Sequence, residues 1–190
     1  MRALVASAPS NAHQRYILAA MLVARGTILT GAHSPEAGLA EFENARSIYE
    51  SLNKGAGDKR NEIAACDVKM GEAAAQVGSA KAADYFHRAL AIAEPLIASE
   101  SADLDSLYTA ADAYSGLGRL SLKRAQQPSQ TVAHRQSEWA GAHSWYQLSL
   151  KSWARVQHPN HTSPNGFQVG DPMIVAQELK RTEAALSAQK

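Results

Sequence analysis

The strongest constraint on the fold is a spacing that occurs three times. In "AADYFHRALAI" (82–92) a small residue, Ala82, stands four positions before the aromatic Phe86, and a second small residue, Ala89, three positions after it. Gly38, Phe42 and Ala45 repeat the pattern, as do Ala142, Tyr146 and Ser149. On a helix these positions share one face. The small residues let a neighbouring helix come close, and the ring fills the space between helices. Glycines mark a second register: Gly26 lies 12 residues before Gly38, Gly71 lies 11 before Ala82, and Gly118 lies 24 before Ala142. A glycine inside a helix costs about 1 kcal/mol relative to alanine, so its recurrence at equivalent places implies close helix packing.

Strand signals are nearly missing, while alanine is abundant in long stretches of 3.6-residue period, so the chain reads as all-α. Capping residues divide it. Ser10 opens a helix to about Thr30, Ser34-Pro35-Glu36 opens one to about Asn53, Asp58 one ending near Gly78, and Ser79 the fourth. Asp103 opens a fifth to about Ala125, Thr131 or a neighbour a sixth reaching Gln157, and Asp171-Pro172 caps a last helix over about 171–188. Pro95 is expected to end or kink the fourth helix at Glu94. With short connections, the helices pair as antiparallel hairpins over about 10–53, 58–99 and 103–157, stacked in a single domain covering 1–190.

The hairpin marks resemble the tetratricopeptide repeat family. "YSGLG" (114–118) is similar to that family's aromatic-x-x-Leu-Gly element, and "AADYFHRAL" (82–90) to its Ala-x-x-x-Phe-x-x-Ala-Leu element. The resemblance implies a right-handed α-solenoid ended by a solvating C-terminal helix. The sequence also departs from the family. Its period is 34 residues, whereas the glycines here recur at 45 and 47, and Arg25 stands where a leucine is expected before Gly26. Periods of that length also describe HEAT-type helical arrays. A looser resemblance is to the repeat regions that follow the kinase domain in some bacterial serine/threonine kinases, which implies a regulatory or docking segment of a signalling protein. None of the kinase motifs themselves is present.

In this family the first helix of each hairpin lines a concave groove that binds a protein or peptide partner. Transferred by spacing, the groove residues are Val23, Thr27 and Thr30 in the first unit, Val68, Glu72 and Gln76 in the second, and Asp112, Ser115, Arg119 and Lys123 in the third. This mildly polar set suits an extended peptide or a partner helix. Repeat proteins that clamp chaperone C-terminal carboxylates need Lys and Asn on the first groove helix, where Val23 and Thr27 stand here, so that clamp is not expected.

Charge argues against two other partner classes. Lys and Arg number 19 against 18 Asp and Glu, evenly along the chain, so neither a nucleic-acid stripe nor a basic membrane-surface helix is expected. No segment is apolar for long enough to insert in a membrane, and a single cysteine, Cys66, permits no intrachain disulfide, so a cytoplasmic location is expected. Cys66 reads as a small apolar residue on a helix face rather than a reactive thiol.

Chemistry has less to build on. There is no phosphate-binding glycine loop, nucleophile elbow or paired-carboxylate motif, and no cofactor or metal is expected. His158 and His161 in "HPNH" are the nearest approach to a metal pair but lack a neighbouring carboxylate. In the same stretch Phe167 and Val169 either pin it to the helices or present a partner anchor. Trp139, Tyr146, Leu150 and Trp153 share a core face, while Trp145 points elsewhere as an exposed contact. The leading expectation is a non-enzymatic interaction scaffold. A small-molecule or metal-dependent sensor or enzyme, and a self-assembly module, are the alternatives.

Overall fold

The computed structural model describes residues 11–55, 57–98, 102–156, 163, 166–167 and 169–188. Among them are seven helices and no strand: α1 (Ala12–Gly31), α2 (Pro35–Asn53), α3 (Arg60–Gln76), α4 (Ala82–Ile97), α5 (Leu104–Ala125), α6 (Val132–Trp153) and α7 (Pro172–Ser187). The protein is all-α. No helix among the described residues is long and apolar enough to cross a membrane.

Four helices start on a side-chain cap that accepts an otherwise unpaired first-turn N–H. Asn11 accepts from the His13 N–H at 2.9 Å, Asp103 from Ser106 at 2.9 Å, Thr131 from His134 at 3.2 Å and Asp171 from Met173 at 2.8 Å. The expected cap at Ser10 lies outside the described residues, and Asn11 performs the task. Asp58 and Ser79 bind the entering turn instead of capping directly. They accept from the Arg60 and Lys81 N–H groups, and the helices begin after Lys59 and Lys81.

Of the two outcomes open at Pro95, an end or a kink, the helix does not end at Glu94: α4 continues through Pro95 to Ile97. Only two helical residues follow the proline, and Ala91, whose carbonyl loses its N–H partner, is exposed, so that carbonyl lies near water. α6 stops at Trp153, short of Gln157; the Val156 N–H turns back to the Trp153 carbonyl at 2.9 Å, and the buried Val156 packs with Leu107, Tyr108 and Trp153.

Each helix packs on the next in the chain, and α3 packs on α5 as well. The three small-aromatic-small patterns lie on α2, α4 and α6, and each ring rests on the glycine of the preceding helix. A methyl group on Gly26 would stand 2.7 Å from the Phe42 ring, one on Gly71 2.7 Å from Phe86, and one on Gly118 2.6 Å from Tyr146. Phe86 has a second glycine, Gly116 of α5, against the same end of its ring, so it is wedged between successive hairpins. All three rings are fully buried, and Ser149, the polar member of the third pattern, donates to the Ala111 carbonyl at 2.7 Å.

A buried charge joins the first two hairpins. Asp67 of α3 has no exposure; Arg46 of α2 donates to it at 2.9 Å and Arg88 of α4 also pairs with it. Burial still outweighs both guanidinium groups and holds its carboxyl above the ordinary aspartate range. Cys66, beside it, is fully buried, and burial raises its thiol well above the usual value, as expected of a packing residue.

Candidate functional site

The face where α3 packs on α5 carries ionisable side chains in an apolar setting. Val68, Lys69, Glu72 and Gln76 occur at helical spacing on α3, and Asp112, Ser115, Arg119 and Lys123 on α5. Lys69 is almost fully buried and donates to Glu72 at 2.9 Å. Burial opposes its charge, but the Glu72 and Asp112 carboxylates outweigh that cost and leave the ammonium above its ordinary pKa. Arg119 reaches Glu72 at 3.8 Å and donates to the Ser115 hydroxyl at 2.6 Å. Glu72 thus sits between a buried and an exposed cation.

Toward the starts of the helices this face is covered by the chain itself. The Gly170 N–H donates to both carboxylate oxygens of Asp112, at 3.0 and 3.1 Å. Phe167 is buried and, with Ser163 and Val169, closes over Ala65, Val68, Lys69, Tyr108 and Thr109. A turn fixes these residues: the Ser163 N–H donates to the Phe167 carbonyl and the Gly166 N–H to the Ser163 carbonyl, both at 2.8 Å. Of the two roles open to Phe167, the structure gives the pinning one. Burial raises Asp112 to about 6, with Lys69 opposing the shift.

Toward the helix ends the same face opens into a cleft of about 430 Å³. Ala75, Phe86, Gly116 and Leu120 supply its apolar lining, and Glu72, Gln76, Arg119 and Lys123 its polar lining. A second cleft of about 190 Å³ shares Ala75, Leu120 and Lys123 with it and continues toward Ser79, Arg124 and Gln127. No protein-family model, curated protein or solved structure matches this chain. The chemistry of the site therefore rests on its own geometry.

Of the ten groove residues expected from spacing, four come together in the cleft: Glu72, Gln76, Arg119 and Lys123. Four others do not face solvent. Val23 is buried in the first hairpin's core, Val68 and Asp112 lie beneath Phe167 and Gly170, and Ser115 is buried and bonded by Arg119. Thr27 and Thr30 are half-buried, and their hydroxyls donate back to the carbonyls of Val23 and Gly26 at 3.0 and 2.9 Å. These donors are already used within α1.

Spacing alone missed Lys69, which falls between positions that a helical repeat reserves for packing; its signal was the single basic residue inside the run "CDVKMGEAAA". It also missed the pairing of Asp112 with Gly170, which joins residues 58 positions apart. Trp145 is not a free exposed contact. It is half-buried, stacked on Tyr114 at a centroid distance of 6.0 Å and edge-on to His87 at 6.1 Å. His134 and His143 turn to different carboxylates, Glu138 and Glu183, each at 3.6 Å. Among the described residues no three His, Cys, Asp or Glu side chains converge as metal ligands; His158 and His161 lie outside those residues.

Proposed function

We infer that this protein is a non-enzymatic interaction scaffold, a tetratricopeptide-like array of hairpins that holds an extended peptide or protein segment in the cleft between α3 and α5. The observation that carries this reading is the cleft's combination of an apolar floor with a polar rim of both signs. An apolar side chain of the partner fits over Ala75, Phe86 and Leu120. Gln76, Arg119 and Lys123 offer donors and Glu72 an acceptor to the partner's polar groups. As a docking segment of a signalling protein, it would contribute recognition while chemistry is performed elsewhere.

The test is retention from the source organism's lysate on wild-type protein and on the double variant Glu72→Ala/Arg119→Ala, with circular dichroism confirming that both are folded. The reading expects a partner held by the wild type and lost, about tenfold or more, by the variant. Equal retention on the two baits would sink it.

A further inference from the structure

The α3–α5 face is filled at one end and empty at the other. Under Phe167 the space left against the helices is about 10 Å³, close to what one water molecule needs. Beyond Glu72 and Arg119 the cleft holds about 430 Å³. The two ends are one surface. Lys69, beneath the ring, donates to Glu72, which lines the cleft, and Val68 and Asp112 continue the rows that carry Gln76, Arg119 and Lys123 into it.

The filled end has the contacts of a peptide in a groove. An aromatic side chain, Phe167, seats against Val68 and Tyr108 and is 5% exposed, and three residues later the Gly170 N–H is accepted by Asp112. The second contact selects for glycine, since a methyl group at position 170 would stand 2.6 Å from the accepting carboxylate oxygen. The floor is also unlike that of a permanent core. It carries Lys69 and Asp112, both nearly fully buried, and burying ionisable groups costs stability that apolar residues would not. A face made only to be covered by its own chain gains nothing from those charges; a face that receives a polar backbone and also returns to water does.

We propose that Phe167, Val169 and Gly170 are an intramolecular ligand, occupying half of the peptide groove between α3 and α5 until a partner segment displaces them. This rests on the peptide-groove reading above and adds the chemistry of the partner: a bulky apolar residue followed three positions later by a glycine. An occupant tethered by the chain competes at an effective concentration of roughly millimolar. Partner affinity is therefore held down while Phe167 is seated.

The probe is a fluorescein-labelled peptide of residues 163–171, SPNGFQVGD, added to the full chain and read by fluorescence anisotropy. The wild type, whose groove is filled, should hold it weakly. Phe167→Ala vacates the pocket and should bind the peptide about tenfold or more tighter. Gly170→Ala, which disturbs only the contact with Asp112, should gain less. Adding Asp112→Ala to Phe167→Ala should remove the gain, which places the peptide on this face. Circular dichroism checks that each protein is folded, and if Phe167→Ala is not, Gly170→Ala decides alone. Variants that hold the peptide no better than the wild type overturn the proposal, as does a gain that Asp112→Ala leaves intact. A lysate partner lost by Glu72→Ala/Arg119→Ala would in that case leave the open-cleft reading standing and remove only this one.

Discussion

The Phe86 ring occupies the space that a side chain on Gly71 would need, its nearest carbon 2.7 Å from where that methyl would stand. Gly71→Ala therefore sets two effects against each other. Helix propensity favours alanine by about 1 kcal/mol, but the ring is fully buried with Gly116 behind it and has nowhere to move. Overpacking of this kind costs about 1–3 kcal/mol, so a net loss of stability is expected. Chemical denaturation measures it. Phe86→Leu placed in the same chain should recover part of the loss, and Gly31→Ala, which meets nothing within 4 Å, should cause none.

Gly170 approaches Asp112 too closely for a larger residue. A methyl there would lie 2.6 Å from the carboxylate oxygen that accepts its N–H. Gly170→Ala should break that bond and cost about 1–2 kcal/mol. The specific readout is hydrogen exchange: the amide of residue 170, bonded to Asp112, should be protected in the wild type and exchange freely in Asp112→Ala, while the α2 amides stay unchanged.

The pH dependence of Asp112 has a definite sign. Its folded pKa, about 6, is above the unfolded value of 3.8, so the folded state binds the proton more tightly. The stabilisation from protonation is complete below about pH 4 and disappears as the pH rises through 6. Between pH 4 and 7 wild-type stability should fall relative to Asp112→Asn, by about 2 kcal/mol. Lys69, Glu72 and Arg119 face this carboxylate, so the comparison is with the neutral isostere in the same surroundings. Parallel stability curves for the two proteins would contradict the assignment.

Asp67 should tolerate loss of its charge better than loss of a partner. Asp67→Asn removes a carboxylate that burial already disfavours, and it leaves Arg46 bonded to Glu50 at 2.7 Å and Arg88 half in water. Arg46→Ala instead leaves the carboxylate buried with one cation fewer. The arginine variant should be the less stable of the two by about 1–2 kcal/mol, measured by thermal unfolding at pH 7.

The helices and their close contacts were legible because both depend on local chemistry. A capping Asp or Thr acts within three residues, and a small-aromatic-small face declares itself in seven. Pairing Phe42 with Gly26, or Tyr146 with Gly118, needed only the further step that adjacent helices fold back on each other. The site was legible in half. Glu72, Gln76, Arg119 and Lys123 follow from the spacing that the tetratricopeptide resemblance implies, but what lies over Val68 and Asp112 depends on a segment with no period, whose position no spacing rule reports. Trp145 failed for a related reason: helical phase places it off the core face of α6, but α4 and α5 lie close enough for His87 and Tyr114 to cover it.

The double seating of Phe86 bears on how the molecule comes apart. Its ring is shared property of α3 and α5, so the second hairpin cannot open without exposing surface on the third, and the two should melt as one cooperative block. The rings of Phe42 and Tyr146 each meet a single glycine. Partial unfolding under native conditions therefore starts from the first hairpin and reaches the α3–α5 cleft last.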